Sequence, residues 1–357
     1  MSTYKGEKLN IEIYGTSHAE KIGATVTGFP RIKVDTNYLN EVMKRRSPSS
    51  GIFSTKRKEP DEPIFEKGLN NGVIDGDFEV VICNKDVKSS DYNSLYAKPR
   101  PSHADYVRYL KNGEKDYRGG GEFSARLTAP LCVVGAICKQ YLFENYGIEV
   151  LGYLSQVGKV KGKSYKESLP TKEEIKKSYC EFPAISSSKE MLLEIEQASK
   201  DGDSVGGVVE CVVYAPPTAV GGSLFEGLEG KISNIVYSIP AVKGVEFGLG
   251  FDLSAMRGSK ANDPLRIENG EINIVTNNAG GINGGISNGN PITLRVGFRP
   301  TPSISVLQDT VDLEKKENVQ IRIEGRHDSC VAVRAVPVVE CAVAIAILDA
   351  MLGEKNQ

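Results

Sequence analysis

"AVPVVECAVAIAILDAML", Ala335 to Leu352, is the longest apolar stretch in a chain of 357 residues. Its reading decides between a membrane protein and a core built around a helix. Pro337, Glu340 and Asp349 interrupt it, so no uninterrupted run of about 18 apolar residues remains to cross a bilayer. It reads as a buried helix with Pro337 in its first turn and Gly353 after its end. A second apolar segment, "APLCVVGAICKQYLFENYG" (129–147), reads as a helix opened at Thr128 or Pro130 and closed by Gly147. Around these helices the chain alternates in strand-like runs: "LNIEIYG", "GATVTGFP", "FEVVICN", "EVLGYLSQVGKV", "VGGVVECVVYAPP", "GEINIVT" and "PITLRVGF". Asp35 or Thr36 can cap a helix through "NYLNEVMKRR", and Thr171 with Glu174 forms a capping box. The class is therefore α/β (α+β). "GATVTGFP" and "GGVVECVVYAPP" share a shape, which hints at two related halves with no linker between them.

Composition narrows the function. A formal net charge of −2 gives no global attraction to nucleic acid or to an anionic membrane. Seven cysteines without a CxxC pair point to a reduced, cytoplasmic protein with no structural metal. The N-terminus "MSTYKGEKLN" lacks the apolar run of a signal peptide. Any anion must be held by local clusters. One lies between Lys44 and Lys58, where six basic residues are interrupted by no acidic one.

The chain has only three histidines, in "GTSHAE" (15–20), "RPSHAD" (100–105) and "GRHDSC" (325–330). Each sits in a polar, loop-like stretch beside Arg, Asp or Gly. Histidine exchanges protons easily near neutrality, so three in such settings point to one site that binds an anion and moves protons. Two glycine-rich stretches, "DYRGGGEFSAR" (116–126) and "NNAGGINGGISNGN" (277–290), could let backbone amides approach a phosphate or a flat ring. The plainer readings are a tight turn for the first and a hairpin connection for the second. Neither is a GxxxxGK[ST] loop, which leaves a nucleotide-dependent transferase or kinase without its motif.

In this order, "GTSHAE", "RRSP", "KRKEPDE", "RPSHADY", "DYRGGGEFSARLTAP", "GDSVGGVVE", "VKGVEFGLGF", "RGSKANDP", "NNAGGINGGISNGNPI", "FRPTPSI" and "GRHDSCVAVRAVPVVE" resemble the chorismate synthase family over nearly the whole chain. The FS-x-R-x-TAP form of the glycine-rich segment resembles that of a clostridial-type branch. The resemblance implies a β-α-β sandwich, residues 1–357 as one domain, and assembly as a homotetramer in the cytoplasm. It implies a lyase that eliminates phosphate from 5-enolpyruvylshikimate-3-phosphate to give chorismate. That reaction closes the shikimate pathway of aromatic amino-acid biosynthesis and requires reduced FMN. The flavin would be reduced by an external flavin reductase, since the chain shows no added domain for its own NADPH-dependent reduction. The alternative is a non-catalytic relative that binds flavin or a phosphorylated ligand.

Residue roles also follow from the resemblance. His18 would sit by the substrate phosphate and His103 by the flavin, while Asp328 takes part in removing the C6 proton. Arg45, Arg46, Arg126 and Arg334 would bind the anionic substrate. Ser124, Ala241, Gly285, Arg299, Thr301, Ser303 and Arg326 would form the flavin cradle. His327 is given no proton-transfer role and would support loop geometry. The chain departs from the commoner family pattern at Thr16, Ser47, Ile52, Glu122, Phe123, Pro240 and Arg299.

Overall fold

The computed structural model describes residues 1–47, 61–84, 95–115, 120–323 and 328–354. Two antiparallel sheets enclose a layer of helices. The first sheet contains β1 (Ser2–Lys5), β2 (Asn10–Tyr14), β3 (Lys21–Thr27), β4 (Ile32–Lys33), β5 (Ile64–Asn70) and β6 (Val73–Cys83). Their order is β1-β2-β3-β6-β4, with β5 also paired to β6. The second sheet has the order β11-β16-β9-β7-β8, drawn from β7 (Glu149–Val157), β8 (Val160–Lys161), β9 (Gly207–Tyr214), β11 (Val242–Phe247) and β16 (Ile292–Phe298). Smaller pieces flank it. They are β10 (Thr218–Gly221) with β14 (Ile282–Asn283) and β15 (Ile286–Asn288), the hairpin β12–β13 (Leu265–Glu268, Glu271–Ile274), and the hairpin β17–β18 (Gln308–Asp312, Glu317–Ile321).

The helices are α1 (Thr36–Arg46), α2 (Asp105–Asn112), α3 (Thr128–Tyr146), α4 (Lys172–Ser178), α5 (Ser188–Lys200), α6 (Leu228–Tyr237), α7 (Gly258–Ala261) and α8 (Val331–Glu354). Of these, α3 packs on β3 and β6 of the first sheet, α8 on β7 and β9 of the second, and the two helices pack on each other. In chain order each sheet is followed by one of these long helices. The apolar composition of both segments is explained by that position, since a helix covered on all sides needs no polar face. By length and composition α8 could cross a membrane, but 89% of its most apolar window is buried inside the protein. It is a core helix.

Strand patterning follows the layers. On β9, Val209, Cys211 and Val213 face the helices, while Val212 and Tyr214 turn outward to meet Leu151, Tyr153 and Ile175 of α4. The expected strands and caps are present, including the Asp35 cap of α1 and the Thr171–Glu174 capping box. The start of the last helix differs from expectation. α8 begins at Val331, so Pro337 lies inside it and not in its first turn, and Gly353 falls within its last turn. Burial of Ala332, Val333, Ala335 and Val336 carries the helix upstream of the proline, at the loss of one backbone hydrogen bond.

The α3–α8 crossing is set by Gly135. A Cβ there would stand 2.2 Å from Cys341 Cβ and 2.6 Å from its Cα. Gly135→Ala is expected to push the helices apart and to lower stability by about 1–3 kcal/mol, read as a lower urea midpoint with an unchanged slope.

A buried ionic node pins the same layer. Glu340 of α8 is fully buried. It accepts from Arg45 of α1 (2.6 and 3.0 Å), from Lys139 of α3, from the Tyr179 hydroxyl (2.9 Å) and from the backbone N–H of Gly152 in β7 (3.0 Å). Arg45 also lies over the Tyr179 ring, 3.5 Å from its centroid. Burial would raise the Glu340 carboxyl, but Arg45 and Lys139 outweigh it and hold it at about 2. A depressed folded pKa stabilises above the unfolded value near 4.5 and is lost as pH falls toward 2. Urea midpoints should therefore drop through this window, and Glu340→Gln should make the acid limb shallower while lowering stability at neutral pH.

Candidate active site

Three helix ends converge between the layers. The C-terminal turn of α1 carries Arg45 and Arg46. Arg46 shares the buried face of α1 with Leu39, Val42 and Met43, one helical turn apart, and so enters the protein with them. Its guanidinium donates to Asp61 (2.5 Å), to the Ala125 carbonyl (3.0 Å) and, at 3.4 Å, to Thr128 Oγ1 at the start of α3. Arg126 reaches the other oxygen of the same Asp61 carboxylate. Arg334, in the first turn of α8, donates through Nε to the Arg46 carbonyl (3.1 Å) and through a terminal nitrogen to Asp328 (2.9 Å). Arg46, Arg126 and Arg334 thus surround Asp61 and Asp328. Three guanidiniums against two carboxylates leave an excess of positive charge, placed where the N-termini of α3 and α8 add to it.

His18 joins this centre through its loop. Asn84 donates to the Ala19 carbonyl (2.7 Å) and the Thr16 carbonyl (3.4 Å), and accepts from Arg126 Nε (2.8 Å). Ser17 N–H donates to the carbonyl of Gly121, whose left-handed backbone (φ 53°) a glycine tolerates. His18 Nδ1 is 3.0 Å from Ser17 Oγ. Ser124 accepts from the Arg126 backbone (3.2 Å) and so shapes the turn that delivers Arg126. Burial would raise Asp61, but Arg46 and Arg126 outweigh it and hold the carboxyl below its ordinary value. Burial pushes the Arg334 guanidinium down from its ordinary value, and Arg46 adds to this while Asp328 opposes it.

A second group lies at the Gly207 and Phe298 end of the second sheet. The Arg299 backbone donates to the carbonyl of Ala241 (3.0 Å), which puts Ala241 beside it. Ser204 Oγ donates to the Thr301 carbonyl (2.7 Å), and Val205 N–H donates to Ser329 (2.8 Å). That loop therefore joins the Arg299–Ser303 segment to the neighbour of Asp328. Burial lowers the His103 pKa, Asp105 opposes that, and the charge of Arg100 and, least, that of Arg299 add to the lowering, which puts the ring within electrostatic reach of this group. Arg299 is half-buried and has no ion-pair partner among the described residues. It lines an open cleft of about 400 Å³ with Lys243, Gln156, Gly206, Gly207 and Gly244. An unpaired guanidinium beside a glycine-lined cleft fits a cofactor with an anionic group and a flat ring.

Of the residues singled out from sequence, His18, Arg46, Arg126, Arg334, Asp328 and Ser124 come together in the first group. His103, Ala241, Arg299, Thr301 and Ser303 come together in the second. Arg45 turns the other way and is committed to Glu340. Gly285 stands apart. Its carbonyl accepts from Leu228 at the start of α6 (2.9 Å), whereas Ala241 follows the far end of that ten-residue helix, about 15 Å away. The second glycine-rich stretch contains the β14–β15 hairpin, and its Asn278 and Ala279 amides donate to Asp263. Arg326, His327, Ile52 and the basic residues Lys56, Arg57 and Lys58 lie outside the described residues.

Sequence reasoning gave no role to Asp61, Asn84, Asp105 or Glu340. Asp61 and Asp105 sit within the quoted "KRKEPDE" and "RPSHADY" segments. The available signal was an acid close to basic residues, Asp61 after Lys56, Arg57 and Lys58 and Asp105 between Arg100 and Arg108. Of the departures from the family pattern, Glu122 lies 3.9 Å from Arg108 and Phe123 is 43% exposed.

Two sheets around a helix layer, with an arginine-rich centre at the helix ends, define a β-α-β sandwich protein built to handle a polyanion. A crystal structure of a chorismate synthase has this fold, with a TM-score of 0.74 at 24% identity over 98% of this chain and 93% of that one. The family model described as chorismate synthase matches residues 9–352. The chain is 43% identical to the chorismate synthase of Thermococcus gammatolerans over 359 residues, covering 98% of each. It is 41% identical to that of Dehalococcoides mccartyi over 356 residues, 99% of this chain and 97% of the relative. The chain belongs to the chorismate synthase family.

Asp61→Asn would leave Arg46 and Arg126 buried side by side without their shared counter-charge. It is expected to cost about 3–5 kcal/mol. Inorganic phosphate should then raise the melting temperature of the variant more than that of the wild type, because an added anion replaces the missing charge.

Proposed function

We propose that this protein is a lyase that removes phosphate from 5-enolpyruvylshikimate-3-phosphate to give chorismate, in the presence of reduced FMN. The observation that carries this reading is the junction of Arg46, Arg126 and Arg334 beside His18 and Asp328. The substrate carries two carboxylates and a phosphate. Guanidiniums bind such groups with paired hydrogen bonds, and burial strengthens the attraction. In this reading the three arginines bind and orient the substrate. His18 gives a proton to the departing phosphate, which lowers the charge on the leaving group. Asp328, aligned by Arg334, takes part in accepting the proton from C6. The C6–H and C–O bonds break, the ring double bond shifts, and no net oxidation occurs.

Reduced FMN, when bound, would supply electron density to the reacting ring system and a nitrogen that shares in proton removal. Arg299, Thr301, Ser303, Ala241 and Ser124 are the described residues we assign to holding it, with Arg326 completing the set. Gly285 is assigned to the cradle as well, since the roughly 15 Å of α6 that separates it from Ala241 is comparable to the length of the cofactor, and assembly as a homotetramer is carried over from the family resemblance. Arg45 is assigned to the helix layer and not to substrate. An external flavin reductase is expected to supply the reduced cofactor, and cytoplasmic residence is in keeping with seven free cysteines.

The test is an anaerobic assay with 5-enolpyruvylshikimate-3-phosphate and chemically reduced FMN, following chorismate and phosphate together. Equal release of the two is expected. His18→Ala and His103→Ala should each lower turnover by about 10²-fold or more while the circular dichroism spectrum is kept. Bound FMN with no product would overturn the catalytic reading, and consumption of NADPH with FMN alone would overturn the need for an external reductase.

A further inference from the structure

His103 stands in a tight turn. Its backbone N–H donates to the Arg100 carbonyl (3.2 Å), and the residue before it, Ser102, has a left-handed backbone (φ 58°). This turn brings three side chains together. His103 Nδ1 lies 2.6 Å from Asp105 Oδ1. Arg100 grips the same carboxylate with its backbone N–H (3.0 Å) and Nε (2.7 Å) on Oδ2, and with a terminal nitrogen (2.8 Å) on Oδ1. A contact of 2.6 Å between a ring nitrogen and a carboxylate oxygen requires a proton between them. Arg100 also comes within 3.2 Å of Nδ1, and a terminal guanidinium nitrogen carries two hydrogens, so one can face Oδ1 and the other the ring; only a proton on Nδ1 relieves the 2.6 Å approach of its lone pair to the carboxylate oxygen. From this geometry we propose that Asp105, clamped by Arg100, is a positioning residue that fixes His103 as the Nδ1–H tautomer and leaves Nε2 as its basic nitrogen.

The electrostatics agree with the geometry. Burial would raise Asp105, but Arg100 and His103 outweigh it and hold it at about 2, so the acceptor stays charged. The charged groups acting on the ring are Arg100 and Asp105 from its own segment and Arg299 from the end of β16. Burial lowers the ring pKa, Asp105 opposes this, and the two arginines add to it. Near neutral pH the ring is therefore neutral, with an in-plane lone pair at Nε2 able to take up a proton and return it. The use made of that lone pair rests on the flavin-site reading above, but the tautomer does not.

The outcome of replacing Asp105 by Asn follows from the donors around it. Placing the new amide nitrogen at Oδ2 would set it against two Arg100 donors, the backbone N–H and Nε. Placing it at Oδ1 sets it against one Arg100 donor and against Nδ1, which can become an acceptor. The second arrangement conflicts with fewer donors, so Asp105→Asn should reverse the tautomer to Nε2–H. A catalytic histidine held by an amide in place of a carboxylate is trapped in the wrong tautomer in the same way in serine proteases.

The experiment is 15N magnetic resonance of the full-length protein labelled at histidine. Three histidines make the spectrum tractable, and His103→Gln assigns the resonances by subtraction. At pH 7.5 the wild type should show His103 neutral with the proton on Nδ1. Asp105→Asn should move it to Nε2 and lower kcat by about 10²-fold at unchanged KM for substrate, with Asp105→Glu restoring part of the loss. A wild-type ring protonated on Nε2 alone, or on both nitrogens, would sink the proposal, as would an Asp105→Asn spectrum that keeps Nδ1–H. The wild-type spectrum decides the matter even where the variant fails to fold. A reversed tautomer with undiminished turnover would uphold the assignment of Asp105 and remove His103 from the flavin-site reading.

Discussion

Glu340 of α8 sits where α1, α3 and the second sheet meet its helix, and each of those three gives it a donor. A carboxylate buried this deeply is costly unless every lone pair is used, and here the donors come from separate elements. The interaction therefore does more than neutralise a charge. It fixes the roll of α1 against α8, because Arg45 is held on one side of the helix end. Arg46, the next residue, is then turned toward Asp61 and the loop before α3. The candidate site depends on that rotation. Close contact at Gly135 sets the separation of α3 and α8, and the Glu340 node sets which way their neighbours face.

The site uses helix ends in place of a highly basic protein. The formal net charge is only −2, yet an excess of positive charge gathers where three arginines and the N-termini of α3 and α8 coincide. Asp61 makes this arrangement tolerable in the protein by itself. Two guanidiniums share its carboxylate, so they can be stored close together in a buried place. His103, Arg299 and the cleft beside them form a neighbouring region at the end of the second sheet, joined to the first by the Ser204–Val205 loop. One region rich in paired charge and another whose guanidinium has no ion-pair partner among the described residues suit a substrate and a cofactor that are both anionic.

What could be read from the residues was whatever depends on local periodicity or on a motif held in one segment. The buried helices, the alternating strands, the Thr171–Glu174 capping box and the histidine-bearing loops are local properties, and the motif series was specific enough to indicate the family. The start of α8 escaped that reading, because a proline marks a helix start only when packing upstream does not continue the helix, and Ala332, Val333, Ala335 and Val336 are buried in ways no local rule contains. Arg45 and Arg46 have the same chemistry and adjacent positions, so sequence could not separate them. Only the location of Glu340, nearly 300 residues away in the chain, assigns one to the core and leaves the other for the site.

The same division applies to the acids. Asp61 and Asp105 were visible as residues within familiar motifs, but their partners were not, because a carboxylate's role is set by which cations the fold brings to it. By itself the sequence determined the class of fold, the family, and the residue types able to bind anions and move protons. The tertiary structure decided which arginines share a counter-charge, that Gly285 stands apart from Arg299 within one chain, and which ring nitrogen of His103 is held by a neighbour. Those are questions of direction and distance between segments far apart in the chain, and packing of the helix layer against both sheets answers them.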